Sequence, residues 1–500
     1  MDNRNTGDEK MNQLVIELKN IEKSYLNKDV LQIENLKVYE NQKIGIVGRN
    51  GEGKSTLLKL ISGEVNADVG EINTKIEFEY YRQIEAEIQP DFIKIDPEYL
   101  SRLNVPEHNV KHFSGGEQTR MRLAEYFSTY HFGLMMDEPT THLDREGIQI
   151  LLDQLKYYYG TLIVVSHDRY FLDEVVDTIW EIHDGTVTPY NGNYSDYQIQ
   201  KEQEQIEQDN AYANFTKEKN RLEQAAKEKQ AQAEKLSQVS AKQKNRAVNP
   251  GRLGSSKQKD TVQKAAHKSA KAIEKRVEQL DDVEQLTTEK IIHFPTPKLL
   301  EIHNDYPVMG QDVTIKRGDK VLFDEMNFQF PLGKRIGITG PNGSGKSTLL
   351  QHILEEGTGV TLSKKIVFST YKQMAYQLSG EKLIVDYLMQ DTDFTEPIIR
   401  SVLNNLGFSQ SEVSRKTIKD LSGGEATRLV IAKLFTDPSN VMLLDEPTNF
   451  IDVQTIKALE TLMKSYNGTI IFTSHDQYFM KNVAEQIWAI QNKKLELIEY

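Results

Sequence analysis

At 500 residues the chain exceeds the size at which a single hydrophobic core stops growing, and 38% hydrophobic against 27% charged residues is the balance of a folded globular protein, so two or more domains are expected. No apolar run approaches the roughly 18–20 residues that span a bilayer, and the opening MDNRNTGDEK lacks the apolar core of a signal peptide, so a cytoplasmic chain with no membrane span is expected. The absence of cysteine excludes disulfides, zinc–thiolate sites and cysteine nucleophiles, and a formal net charge of −13 excludes a surface that coats nucleic acid throughout.

In chain order, the first strong signal is KIGIVGRNGEGKSTLLKL at 43–60, a β-branched strand, a glycine-rich loop and a helix. Gly48, Asn50, Gly51, Gly53, Lys54, Ser55 and Thr56 lie in a phosphate-binding loop that matches at every fixed position. Glycines let backbone N–H groups close around phosphate, the helix N-terminus adds positive potential, the lysine reaches the β/γ oxygens and the serine hydroxyl ligates Mg²⁺. A second buried strand, GLMMDEPT at 133–140, ends in Asp137 and Glu138. An aspartate there can hold Mg²⁺, and the glutamate can orient and polarise an attacking water. His167 follows the strand LIVVS.

From about 198 to 290 the composition shifts to Glu, Gln, Lys and Ala, with almost no aromatics after Phe215. This predicts two long antiparallel helices, broken at NPGRLGSS (249–256), with only a thin apolar seam. A first helix of some 40 residues would reach on the order of 60 Å. From Ala241 to Arg276 eleven Lys and Arg stand against Asp260 and Glu274, a net of +9 that leaves −22 for the rest of the chain. Lys242, Lys244, Arg246, Arg252, Lys257, Lys259 and Lys264 gather around the turn, a basic tip suited to RNA on an arm whose body is acidic.

The first set of motifs then recurs. RIGITGPNGSGKSTLLQHI at 335–353 supplies Gly340, Asn342, Gly343, Gly345, Lys346, Ser347 and Thr348; VMLLDEPT at 441–448 supplies Asp445 and Glu446; His475 follows IIFTS. Two homologous α/β domains with parallel sheets are predicted, at 1–197 and 291–500, joined by the helical hairpin of 198–290. One such loop alone is a moderately specific signal. Two, each with the same partners downstream, point to ATP binding and hydrolysis.

SGGEQTR at 114–120 and LSGGEATR at 421–428 resemble the signature motif of ATP-binding-cassette proteins. The resemblance covers both halves. Gln83 and Gln373 are similar to that family's Q-loop glutamines, which help hold Mg²⁺, Asp144 and Asp452 to its D-loop aspartates, and His167 and His475 to its switch histidines. Family geometry implies a head-to-tail sandwich. Lys54, Glu138 and His167 would share one nucleotide with Ser422, Gly423 and Gly424; Lys346, Glu446 and His475 would share the other with Ser114, Gly115 and Gly116. Tyr25 stands where the family stacks an aromatic on adenine, whereas the second copy offers Lys316 or Arg317. The segments TTHLD and TNFID depart slightly from the family's usual TNHLD.

Tandem cassettes joined by a charged helical hairpin resemble the ABC-F family. YNGNYSDY at 190–197 and GRLGSSKQK at 251–259 are similar to its antibiotic-resistance branch, of Vga, Msr and Lsa type. Only about 30 residues separate Gln83 from the first signature, which leaves no room for the arm of housekeeping members. The resemblance implies a monomer with intramolecular domain pairing that binds the 70S ribosome. Its hairpin would enter the E site beside 23S rRNA and P-site tRNA and favour release of drugs at the peptidyl-transferase centre: pleuromutilins, lincosamides and streptogramin A, with macrolides as the alternative. A drug-independent translation factor and the motor subunit of an exporter are the competing readings.

Overall fold

The computed structural model describes residues 13–25, 28–82, 95–106, 113, 115–244, 268, 272, 302–318, 320–371, 378, 380–449 and 451–498. The chain separates into two units, Met1–Tyr197 with Glu289–Tyr500, and Gln198–Thr288.

The first unit holds two copies of one α/β arrangement. The first cassette contains β1 (Leu14–Tyr25), β2 (Lys28–Tyr39), β3 (Lys43–Gly48), α1 (Lys54–Ile61), β4 (Val69–Thr74), β5 (Phe78–Tyr81), α2 (Pro97–Arg102), α3 (Gly115–Phe127), β6 (Gly133–Asp137), α4 (Arg145–Lys156), β7 (Thr161–Val165), α5 (Arg169–Val175), β8 (Thr178–His183) and β9 (Thr186–Asn191). After α6 (Tyr194–Lys244), the second contains β10 (Val308–Arg317), β11 (Lys320–Phe330), β12 (Arg335–Thr339), α7 (Lys346–Leu354), β13 (Val360–Leu362), β14 (Phe368–Tyr371), α8 (Ile384–Leu388), α9 (Glu396–Asn405), α10 (Gln410–Arg415), α11 (Gly423–Thr436), β15 (Val441–Leu444), α12 (Val453–Ser465), β16 (Thr469–Thr473), α13 (Gln477–Val483), β17 (Gln486–Gln491) and β18 (Lys494–Ile498).

The main sheets run β5-β6-β7-β3-β8-β9 and β14-β15-β16-β12-β17-β18. Their strands are parallel except at the last edge, where β9 and β18 pair antiparallel. The predicted parallel sheet is thus mixed. The cause is local: Asp184 and Gly185, both at positive φ (46° and 78°), turn β8 directly back into β9, and Asn492 and Lys493 do the same between β17 and β18. A separate antiparallel layer, β2-β1-β4 or β11-β10-β13, completes each cassette.

Alternation explains why both faces of the central strands are apolar. Leu162 and Val164 of β7 join a core with the helices, while Ile163 and Val165 join a second core with β1, β2 and α1. The second cassette repeats this: Met442 and Leu444 face the helices, and Val441 and Leu443 the antiparallel layer. Strands covered on both sides read as continuous hydrophobic runs. Cutting Leu162 to alanine would cost about 2–5 kcal/mol.

The second unit holds most of α6, a helix of 51 residues. It is longer than the expected 40, beginning at Tyr194 and running to Lys244, and at 1.5 Å per residue it extends about 75 Å. Arg221 pairs with Glu218 at 2.9 Å and Gln203 donates to Glu207 at 2.7 Å, same-face contacts that suit a helix in water. Lys242 and Lys244 lie on its last turn. The basic-tip residues Arg246, Arg252, Lys257, Lys259 and Lys264, and the returning helix beyond its two helical positions Lys268 and Ala272, lie outside the described residues. Among the described residues no helix is long and apolar enough to cross a membrane.

Candidate active site

Adjacent parallel strands deliver the site. In the order β6-β7-β3, their carboxyl ends carry Asp137 and Glu138, then His167, then the loop from Gly48 to Ser55. In the second cassette β15, β16 and β12 do the same for Asp445 and Glu446, His475 and the loop from Gly340 to Ser347. Crossover connections leave the carboxyl ends of such a sheet open, which is why ligands bind there.

Gly53 and Gly345 cap α1 and α7 in the left-handed region, φ 100° and 105°. A Cβ there would also lie 2.8 Å from Val30 and 2.7 Å from Phe323, so only glycine fits. The loops are therefore shaped to present N–H groups. Lys54 Nζ donates to the carbonyls of Gly48 (2.8 Å) and Arg49 (3.0 Å), and Lys346 Nζ to those of Gly340 (2.9 Å) and Pro341 (3.3 Å). Both lysines are buried, which lowers their pKa against the opposing pull of Glu138 and Glu446.

Glu138 and Glu446 sit at φ 52° and 48°, a conformation that costs a non-glycine residue on the order of 1–3 kcal/mol and recurs at functional sites. Burial pushes both carboxyls up, Glu446 to about 7, with the neighbouring lysines opposing. His475 Nε2 stands 3.2 Å from Glu446 Oε1 and His167 Nε2 3.3 Å from Glu138 Oε1. Neither approach is aligned as a hydrogen bond, and Glu138 Oε1 and both Glu446 oxygens are buried acceptors without a donor among the described residues. Burial holds both imidazoles neutral, with His475 down to about 4. A carboxyl poised near neutrality with spare acceptor capacity can take a proton from water.

Asp137 is buried, which raises its pKa, and the Ser55 hydroxyl hydrogen-bonds it in opposition. Tyr80 OH donates to its Oδ2 at 3.4 Å. Asp445 Oδ1 accepts the Thr473 hydroxyl at 2.9 Å. Hydroxyl and carboxylate oxygens beside a phosphate loop form the hard donor set that suits Mg²⁺.

Contacts across the two cassettes build the rest. Asn342 N–H donates to Asp144 Oδ2 at 3.1 Å and its side-chain amide to the His142 carbonyl at 3.0 Å; a Cβ on Gly116 would lie 3.2 Å from that amide nitrogen. Reciprocally, Asn50 N–H donates to Asp452 Oδ2 at 3.4 Å, and a Cβ on Gly424 would meet Asn50 Cβ at 3.3 Å. Each phosphate loop is thus covered by the other cassette. A cavity of 1340 Å³ is lined by Asn50, Gly51, Gly53, Lys54, Ser55, Thr56, Asp137, Glu138 and His167, by Gly115 and Gly116, and by Asn342, Gly343, Gly345, Lys346, Ser347, Thr348, Glu446 and His475. Tyr25 and Arg317 line it as well. Their places match in register, Tyr25 opposite Lys28 and Arg317 opposite Lys320, so Arg317 and not Lys316 is the counterpart of Tyr25.

Some expected residues are placed elsewhere. Gly48, Gly340 and Asp445 stand at the strand ends and do not line the cavity, and Ser422 caps α11 by accepting the Glu425 N–H. Gly423 and Gly424 do not line the cavity either. Gln83, Gln373 and Ser114 lie outside the described residues. Sequence reasoning overlooked the hydroxyl pairs Thr140–Ser166 (3.2 Å) and Thr448–Ser474 (3.1 Å), which tie each carboxylate loop to its histidine loop. The repeat itself was the available signal, because both pairs recur in the two copies.

Sequence-family models described as ABC transporter match residues 31–99 with 323–449, and 180–247. The chain is 42% identical to the erythromycin resistance ATP-binding protein MsrA of Staphylococcus epidermidis, over 97% of this chain and 99% of that one. It is 31% identical to the ribosome protection protein VmlR of Bacillus subtilis, over 96% and 88%. The chain belongs to the ABC-F family, in its antibiotic-resistance branch. As an ABC-F protein with two ATP-binding cassettes it is an ATPase. A solved RNase-L inhibitor (TM-score 0.60, 18% identity, 94% of this chain and 87% of that one) shares the ABC-F chain's fold. So does the archaeal recycling factor aABCE1, solved with the stalk protein aP1 (TM-score 0.61, 18% identity, 94% and 87%).

Proposed function

We propose that this ATPase protects the ribosome from drugs at the peptidyl-transferase centre. Cassettes at 1–197 and 291–500 close on two ATP molecules, and the hairpin of 198–290 enters the E site of the cytoplasmic 70S ribosome towards 23S rRNA and P-site tRNA. Hydrolysis then reopens the cassettes and releases the protein. The observation that carries this reading is the near full-length similarity to an erythromycin resistance protein, with a ribosome protection protein next to it. That similarity favours macrolides over the pleuromutilins, lincosamides and streptogramin A expected from the sequence.

In the sites, Lys54 and Lys346 bind β/γ phosphate oxygens, displacing their present carbonyl partners. Glu138 and Glu446 orient the attacking water and accept its proton, and His167 and His475 face the γ-phosphate. Ser55 with Asp137, and Ser347 with Asp445, supply the oxygens for Mg²⁺, with Gln83 and Gln373 as further ligands. When bound, Mg²⁺ neutralises charge developing on the phosphates.

The test is a trap. Glu138→Gln with Glu446→Gln should bind ATP, hydrolyse it at least 100-fold more slowly and co-sediment with ribosomes. A double variant found only in the ribosome-free fraction would sink the proposal. A second reading, drug-independent control of translation, is favoured by 29% identity to the energy-dependent translational throttle protein EttA of Haemophilus influenzae, over 93% and 89% of the chains. Susceptibility to erythromycin, a pleuromutilin, a lincosamide and a streptogramin A, with and without expression, separates the two.

A further inference from the structure

Two arginines of the first cassette cross to a single helix of the second. Arg49, at a variable position of its phosphate loop, donates from Nε to Gln454 Oε1 in the first turn of α12. The same guanidinium stands beside Gly407, where an added Cβ would lie 3.8 Å from Nη2. Two turns further along α12, Glu460 Oε1 accepts from Arg169 at 2.7 Å, and Asp476 Oδ2 accepts from the same nitrogen at 3.2 Å. Arg169 and Glu460 are 3% and 7% exposed, so water and salt screen this bridge far less than a surface pair.

The internal repeat shows that the arrangement cannot be mirrored. Counting from the shared motifs, the reciprocal of Arg49 and Gln454 is Pro341 and Glu146, and that of Arg169 and Glu460 is Gln477 and Leu152. Proline brings no side-chain donor and leucine no acceptor, so neither bond can form in the other direction. The aspartate contacts, by contrast, exist in both directions. α12 carries Asp452 at its N-terminus, so bonds that fix α12 also fix Asp452 over the first phosphate loop.

We propose that Arg49 and Arg169 make the two ATP sites unequal, so that the site built on Lys54 and Glu138 stays closed on its nucleotide after the site built on Lys346 and Glu446 has opened. This rests on the composite pairing proposed above. Arg49 is a positioning residue, acting through Gln454 on α12.

The test uses the full-length protein carrying Glu138→Gln and Glu446→Gln, loaded with methylanthraniloyl-ATP and Mg²⁺ and chased with excess ATP. Two release phases of equal amplitude are expected, at least 5-fold apart in rate. Lys346→Ala should remove the fast phase and Lys54→Ala the slow one. Arg49→Gln and Gln454→Leu should each bring the slow phase within 2-fold of the fast one. The exchange Arg49→Gln with Gln454→Arg, which swaps donor and acceptor, should restore the slow phase. A single phase with two nucleotides bound, the reverse assignment of phases, or a slow phase unaffected by Arg49→Gln overturns the proposal. Fewer than two nucleotides bound by the parent would overturn the composite pairing itself, and the proposal with it.

Discussion

Asp144 Oδ2 accepts the backbone N–H of Asn342 across the cassette interface at 3.1 Å, while Oδ1 of the same carboxylate accepts the Gly147 N–H at 3.0 Å and caps α4. Asp452 divides its oxygens the same way between Asn50 and Thr455. One carboxylate thus ties the end of a helix to the opposite phosphate loop. Burial works against its charge, but the two N–H donors hold Asp144 below the ordinary carboxylate range. The two duties separate by mutation. Asp144→Asn should keep the cap and fold with a melting midpoint near that of the parent, while turnover falls about 10-fold, because with the amide oxygen on the Gly147 N–H the amide NH2 faces the Asn342 N–H and the bond across the interface is lost. Asp144→Ala should add a stability loss of about 1 kcal/mol. Equal melting midpoints for the two variants would show that the cap carries no weight.

Gly53→Ala and Gly345→Ala combine a left-handed φ with Cβ contacts of 2.8 Å and 2.7 Å. Each should destabilise its cassette by about 1–3 kcal/mol and weaken nucleotide binding at its own loop, leaving the other loop's affinity within 2-fold. Gly51→Ala is the control: its φ is 85° but a Cβ there would meet nothing within 4 Å, so only the backbone cost remains. Equilibrium binding of a fluorescent nucleotide, counted per chain, checks the set. Equal losses for Gly51→Ala and Gly53→Ala would mean that the contact with Val30 is of no consequence.

These glycines, the lysines and the carboxylates are legible in sequence because one local segment dictates each of them: a strand, a turn that needs positive φ, and a helix. The continuous apolar runs of β6 and β7 are legible for the same reason. Arg49 and Gln454 are 405 residues apart, and Arg169 and Glu460 are 291 apart, with no periodicity connecting them. Such pairs exist only once the cassettes face one another. Asp144 and Asp452 fall between these cases. Family resemblance picks them out, yet their bond to the opposite loop depends on that same facing. The antiparallel edge strand is signalled locally by Asp184-Gly185, an Asp-Gly turn at positive φ that reverses the chain directly into β9.

Tyr25 and Arg317 offer different chemistry to a base at matching positions. Tyr25 is 44% exposed, and the Lys23 ammonium lies 5.3 Å from its ring centroid. Stacking of a base on an aromatic ring is worth about 1–3 kcal/mol, so Tyr25→Ala should weaken ATP binding at the Lys54 site about 5- to 150-fold. Arg317→Tyr should tighten the Lys346 site, and Arg317→Ala should weaken it less than Tyr25→Ala weakens its own. Titration in Lys346→Ala and Lys54→Ala backgrounds isolates each site. An unchanged affinity in Tyr25→Ala would remove the ring from the nucleotide site.

Asp168 caps α5 by accepting the Phe171 N–H at 3.0 Å, beside the Arg169 bridge. Burial, and then the nearby charge of Asp476, pushes its carboxyl up to about 6, against the Phe171 and Tyr170 N–H groups and Arg169, which pull it down. The sign follows from linkage. A folded pKa above the unfolded value of about 3.9 means that the native state holds the proton more tightly, so stability falls as pH rises from about 4 to about 6 and then levels off. Asparagine caps as well as aspartate and carries no charge at any pH. Asp168→Asn should therefore exceed the parent in stability above pH 6, by on the order of 1 kcal/mol, with the difference vanishing towards pH 4. The midpoint of the first urea transition, followed from pH 4 to pH 8, measures this. A deficit of the asparagine variant that grows as pH rises above about 4 would mean that Arg169 holds Asp168 charged, and that the arginine bridge extends one residue further than its bonds to Glu460 and Asp476.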